Sequence, residues 1–123
     1  MSYINDYVFD LALAYIDTNA SRLDICSQEP ATYAAATATY TLGNKTAISV
    51  AAPTNRSPTG RQVVVGAITT GTVTGSGTVT HWAITDVANS RLVATGALSA
   101  SQAVVSGNTF TLAAFAIGIA DAT

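Results

Sequence analysis

The chain has 123 residues, of which only 10% are Asp, Glu, Lys or Arg, where soluble domains ordinarily carry about 25%. Five basic residues and a net charge of −2 exclude the concentrated cationic footprint that a nucleic-acid binder needs to neutralise phosphates. The lone cysteine, Cys26, excludes an internal disulfide and a four-thiolate metal cage within one chain. Thr, Ser, Ala and Gly fill positions that charges would normally hold, so little electrostatic repulsion opposes association, and association is the expected condition. The length fits one domain over residues 1–123, with a helical segment in 1–19 and a β-domain over 20–123. No basic n-region precedes an apolar stretch, and no apolar run approaches the roughly 18 residues of a membrane span, so neither export nor membrane insertion is expected. The glycosylation-type triplets Asn19-Ala20-Ser21 and Asn44-Lys45-Thr46 then read as chance matches.

The first element is an amphipathic helix over Asn5 to Thr18, with Ser2 or Asn5 as N-cap and Asn19 as its stop. At about 100° per residue, Ile4, Tyr7, Val8, Leu11, Ala12 and Tyr15 share one face, and Asp6, Asp10 and Asp17 fall together on the other. Phe9, Leu13 and Ile16 widen the apolar sector. Either this wide face meets both the helix's own core and a partner, or it lies under loops of the same chain.

Arg22 to Ser27 alternates Leu23 and Ile25 against Arg22, Asp24 and Cys26, the period of a half-buried strand. Pro30 opens a short helical turn through Ala31, Tyr33 and Ala36. Gly43-Asn44 reads as a turn between strands at Ala38 to Leu42 and Lys45 to Ala51. Pro53 to Arg61, with two prolines, a glycine and two arginines, reads as a surface loop: a contact loop, or one kept soluble by Arg56 and Arg61. Beyond it only Asp86, Arg91 and Asp121 are charged. Strands are predicted at Gln62 to Ile68, Gly71 to Thr74, Thr78 to Asp86, Arg91 to Leu98, Gln102 to Val105 and Thr109 to Phe115. Turns are predicted at Thr69-Thr70-Gly71, Gly75-Ser76-Gly77, Asn89-Ser90 and Ser106-Gly107-Asn108. The resulting fold class is mainly β, an antiparallel β-sandwich or barrel-like domain preceded by one N-terminal amphipathic α-helix. Strand edges this neutral lack the usual charge and proline protection, and in a symmetric assembly a neighbouring copy can cover them.

Catalytic chemistry finds no convergent set. His81 is the sole histidine, and Asp86, five residues along the same strand, lies about 17 Å away on the opposite face. Asp6, Asp10 and Asp17 spread along about three helical turns and cannot converge on a cation. Gly71 and Gly75-Ser76-Gly77 lack the lysine and helix of a phosphate loop, and Cys26 has no neighbouring base to lower its pKa. The chain is therefore read as non-enzymatic, without cofactor or metal. Its expected contact residues are Ile4, Tyr7, Val8, Phe9, Leu13, Ile16, Arg56 and Arg61.

The run Val79-Thr80-His81-Trp82-Ala83-Ile84-Thr85-Asp86, then Leu92-Val93-Ala94-Thr95-Gly96-Ala97-Leu98, then Val105-Ser106-Gly107-Asn108-Thr109-Phe110, resembles a pattern of small structural proteins of tailed-phage virions. There a THxxIxD strand leads through a turn to an LxxxGxL strand and a VxxGDxL-like hairpin. The chain departs from it at Asn108, where an acid is frequent, and at Phe110, where an aliphatic is common. The N-terminal helix before a strand is similar too. The likeness is strongest over Val79 to Leu112 and weakest over Ala31 to Arg61. It implies a virion component assembled in the host cytoplasm, contacting copies of itself, in a trimer or another symmetric oligomer, and the major capsid protein or other virion proteins, but neither nucleic acid nor membrane. A capsid decoration or cement subunit fits a chain with room for little beyond one domain and two adhesive surfaces. A tail, baseplate or fibre-attachment component is the alternative. A carbohydrate-binding module, needing Trp82, Tyr33 and Tyr40 as exposed stacking platforms, is a reading of another class.

Overall fold

A computed structural model describes residues 4–120. In chain order the elements are α1 (Asp6–Asn19), β1 (Arg22–Cys26), a π-helical turn (Ala35–Thr39), β2 (Thr41–Thr46), β3 (Thr54–Asn55), β4 (Arg61–Val65), β5 (Ile68–Val73), β6 (Gly77–Asp86), β7 (Arg91–Val104), β8 (Thr109–Leu112) and β9 (Phe115–Ile119). The chain is mainly β, antiparallel at every pairing, with one N-terminal helix, as its patterning predicts. These elements gather into two compact units. The first joins the helical segment to Ser49–Ala67 and the stretch from Ala113; the second holds Ala20–Ile48 and Ile68–Leu112.

In the first unit Asn5 caps α1: its Oδ1 accepts the Tyr7 N–H at 2.9 Å, one of the donors a helix start leaves unpaired. At the far end Asn19 Nδ2 donates to the Tyr15 carbonyl. Ser2, the other expected cap, lies outside the described residues. The helix packs on a three-stranded sheet of order β3-β4-β9, with Phe9 and Leu13 of α1 and Val63 and Val65 of β4 forming the core. Pro53 to Arg61, expected as a loop, is the first arm and turn of a hairpin: Thr54 pairs with Gln62, Asn55 with Arg61, and the Arg56 N–H donates to the Gly60 carbonyl. Gly60 makes that turn at φ +96°.

The second unit is one curled six-stranded sheet of order β7-β6-β1-β2-β5-β8. The turn after β7 folds back against the end of β5, where the Gly107 N–H meets the Val73 carbonyl and the Ser106 hydroxyl meets that of Thr74. Sequence and structure part at Gly43. It is not a turn but the middle of β2, paired with Ile25 on one side and Val73 on the other. A Cβ there would fall 2.5 Å from the Thr72 carbonyl oxygen, so the glycine is needed for close approach of strands. The chain turns later, at Ala47 with φ +57°, which ends β2 at Thr46 and leaves Val50 only an isolated bridge to Val65. Thr69-Thr70-Gly71 is likewise a bulge inside β5 rather than a turn. The predicted helical turn after Pro30 forms a few residues later, with Thr32 Oγ1 accepting the Ala35 N–H and Tyr40 N–H closing a π-type bond to Ala35. Thr109 to Phe115 divides into β8 and β9, because the chain leaves the second unit after Leu112.

Gly43→Ala should separate β2 from β5 and lower stability by about 1–3 kcal/mol. Gly75→Ala, whose Cβ would meet only Leu42 Cδ2 at 3.6 Å, should stay within about 0.5 kcal/mol of the parent. Urea melts of both variants check the contrast.

Candidate interaction surface

The second unit is organised around β1, which lies between β6 and β2. Leu23 and Ile25 turn to the same face as Ile84 and Trp82; Asp24 and Cys26 turn to the other, beside Ala83 and His81. Period two predicts one solvated face here, yet Asp24 and Cys26 are both 0% exposed. The cover is the segment between β1 and β2: Ala36 and Tyr40 pack against Cys26 and Ala83, and the Cys26 thiol faces the Ala36 carbonyl at 3.7 Å.

A carboxylate so enclosed must be fully partnered. Arg22, two residues back on the same strand face, forks onto Asp24 with Nε–Oδ1 2.7 Å and Nη2–Oδ2 2.8 Å, and the Thr41 hydroxyl donates to Oδ2 at 2.6 Å. That hydrogen bond raises the pKa of the Arg22 guanidinium, keeping it charged. Beside it, burial, with help from the Asp24 charge, pushes the Cys26 thiol up to about 12. Cys26 therefore stays a neutral thiol in neutral solution, a packing residue rather than a nucleophile.

The carboxylate that approaches His81 is Glu29, not Asp86. Glu29 Oε2 lies 3.7 Å from His81 Nε2, and the Thr95 hydroxyl reaches Glu29 Oε1 at 3.5 Å. On the other side Thr80 Oγ1 sits 2.8 Å from His81 Nδ1. The sequence reading did not bring these residues together, since Glu29 comes from the segment before a proline. Thr, His and Glu in a row resemble a hydrolytic triad, but the Thr80 hydroxyl also meets the Ser27 carbonyl at 2.9 Å, an acceptor that competes with the His81 ring for its single proton. The cluster ties β6 and β7 to the segment after β1. Asp86 instead clamps its own turn, taking the Asn89 side-chain amide at 2.7 Å. Among the described residues no three His, Cys, Asp or Glu side chains are placed to hold a metal ion. Trp82 lies half-buried against Gly96, where a Cβ would fall 2.4 Å from the indole, and Tyr40 packs on the opposite face of the sheet.

The expected contact residues separate into two groups. Ile4, Tyr7 and Val8 are exposed, and so is Leu11; Tyr7 is 68% accessible and Leu11 57%. Phe9 and Leu13 are not surface residues but core, at 5% and 1%, and Ile16 is half-buried with them. The correction follows from the helix's breadth: apolar residues occupy so much of its circumference that the period leaves the inward direction open, and the sector read as an extension is the one that packs on β4. Arg61 is not a free loop charge either. Its Nε binds Asp10 Oδ1 at 2.7 Å and its other nitrogens reach Asn55 and the Pro53 carbonyl. Asp10 raises the Arg61 pKa through that hydrogen bond. Arg56, half-buried, donates to the Thr59 carbonyl and lies over Gly118, where a Cβ would fall 2.7 Å from its Cδ.

The free strand edges differ in kind. On β7 the pairing with β6 skips Val93, and a bulge of Leu98 to Ser101 stands opposite the single residue Thr80. Such irregularities twist an edge away from incoming strands. On β9 the pairing with β4 is unbroken from Phe115 to Ile119, and the strand carries neither charge nor proline. No described helix is long and apolar enough to cross a membrane.

Because the Cys26 thiol holds its proton in the fold up to about pH 12 and releases it earlier when unfolded, its contribution is full below the unfolded thiol pKa, near 9, and is lost as pH rises toward 12. Urea midpoints should fall across that window and fall less steeply in Cys26→Ala. Native Cys26 should also resist iodoacetamide at pH 8 and react on unfolding.

The chain matches no protein-family model, no curated protein and no solved structure.

Proposed function

We propose that this chain is a non-enzymatic structural subunit of a tailed-phage virion, a capsid decoration or cement protein that works by adhering to copies of itself and to the shell. The observation that carries the reading is the outward row of Tyr7, Val8 and Leu11 on α1, with Ile4 just before the helix, all apolar and exposed in a chain with very few charges. Contiguous apolar surface of this kind marks a contact site. The phage assignment rests on the sequence resemblance over Val79 to Leu112, and the adhesive role on the surface.

Quantifying the protein in purified particles tests the reading. Hundreds of copies per particle, and depleted particles that lose resistance to heat or osmotic shock while still adsorbing to the host, are expected. A handful of copies confined to the tail, depleted particles that keep their stability but fail to adsorb, or absence from particles would overturn it.

A further inference from the structure

The edge of β9 has a definite hydrogen-bonding polarity. The Ala51 N–H donates to the Val64 carbonyl at 2.9 Å, and Gln62 pairs with Thr54, so the even residues of β4 turn their backbone groups toward β3 and away from β9. Arg61, Val63 and Val65 must then exchange hydrogen bonds with their partners Ile119, Ile117 and Phe115. The backbone N–H and C=O groups of Ala116 and Gly118 consequently point outward, where they have no partner among the described residues.

The side chains give that edge its character. Phe115, Ile117 and Ile119 share the face of Val63 and Val65 under α1, yet they are only half-buried where the β4 valines are fully covered. The helix is also oriented. Arg61 is held jointly by Asp10 of α1 and by Asn55 and Pro53 of the β3 strip, so the acidic flank of α1 faces β3. At about 100° per residue, Val8 and Ala12 occupy the opposite flank, on the β9 side, with exposed Leu11 above them. The unpaired edge and the exposed apolar flank thus form one continuous surface.

We propose that β9 pairs antiparallel with β9 of a second copy about a two-fold axis through Ile117. The inference rests on the self-association in the reading above and specifies its surface and symmetry. In this register Ala116 lies opposite the partner copy's residue 118, and each of the two such pairs exchanges two hydrogen bonds, which uses the outward groups of both copies. Phe115 meets residue 119 of the other copy, joining two half-covered apolar rows into one floor. The helices stand three strand spacings apart, roughly 14 Å, above that floor. A neutral edge takes a neutral strand, and β9 itself is one; the other long edge, β7, carries Arg91 and is broken by its bulges. Five paired residues alone bury less than the roughly 1,200 Å² of a stable interface, so the flank of α1 is part of the contact.

Sedimentation equilibrium on the full chain should give twice the chain mass. Ala116→Pro removes only an outward N–H and suits an edge strand, so it should raise the dimer dissociation constant at least about 30-fold with the β-type circular dichroism retained. Leu11→Asp should weaken the dimer as well. Amide exchange of the unmodified protein provides a reading independent of any variant. Protection at Ala116 and Gly118 should rise with protein concentration while Ile117 is protected throughout. A monomer or trimer at about 100 μM, a dimer indifferent to Ala116→Pro, or Ala116 and Gly118 amides that exchange freely at every concentration would overturn the proposal. A monomer found on the shell would overturn the dyad alone; a dimer broken by Ala116→Pro but absent from particles would overturn only the virion reading.

Discussion

The second unit depends on a carboxylate with no access to water in the centre of its sheet. Asp24 sits on an inner strand with neighbours on both sides, and the segment between β1 and β2 packs on Cys26 and Ala83 of the same face. An isolated buried charge would cost several kcal/mol, and removal of one partner from such a pair exposes that penalty. Here the carboxylate is matched by a two-point fork from Arg22 and by the Thr41 hydroxyl. The fork comes from the same strand at i−2, so β1 carries its own counter-charge. Thr41 opens β2, and its hydrogen bond fixes where that strand begins beside β1.

Covering this face of β1 has further consequences. The covering segment has to turn back over the sheet within a few residues, and it does so with Pro30 buried and a π-helical turn that places Ala36 over Cys26. Only a small residue fits between the turn and the strand, and Ala36 is 0% exposed. The same path carries Glu29 to His81 and Thr95, joining the covering segment to β6 and β7. The histidine cluster thus fastens the segment that packs over Cys26 and Ala83 to the two strands beyond β1.

Local signals were legible in the sequence and tertiary ones were not. Asn5 as a cap, Gly75 to Gly77 and Ser106 to Asn108 as turns, and the strands at Arg22 and Thr78 all follow from chemistry within a few residues. Even the two predicted strands Arg91 to Leu98 and Gln102 to Val105, which the structure joins as β7, correspond to its two paired stretches on either side of the bulge. Gly43 was misread because its reason is a carbonyl on a strand distant in sequence, which no neighbouring residue announces. Asp24 and Cys26 were placed on the correct face but on the wrong side of the solvent boundary. Alternation tells which residues share a face, and a cover built from a proline-led, weakly helical segment leaves no periodic trace. The Arg22-x-Asp24 spacing did carry a signal, since residues two apart on a strand are neighbours on one face. On α1 the difficulty was the reverse: too many apolar residues to choose the inward direction, a choice made by β4 and by the Asp10–Arg61 pair.

Scarcity of charge bears differently on folding and on association. The chain has five Lys and Arg side chains, and Arg22 and Arg61 are held by internal carboxylates, Arg56 by the Thr59 carbonyl and Lys45 by the Thr70 hydroxyl. Seven carboxylates offset these cations to a net charge of only −2, so little charge repulsion acts on a neighbour and the regularity of a strand edge matters more. A bulged strand presents its groups out of register and turns partners away; a regular one presents them at the spacing another strand requires. The chain has both kinds, bulged on β7 and regular on β9, and the regular edge adjoins the exposed apolar flank of α1. Of these two edges one is regular and uncharged and the other is broken by bulges, a difference set by backbone geometry rather than by charge.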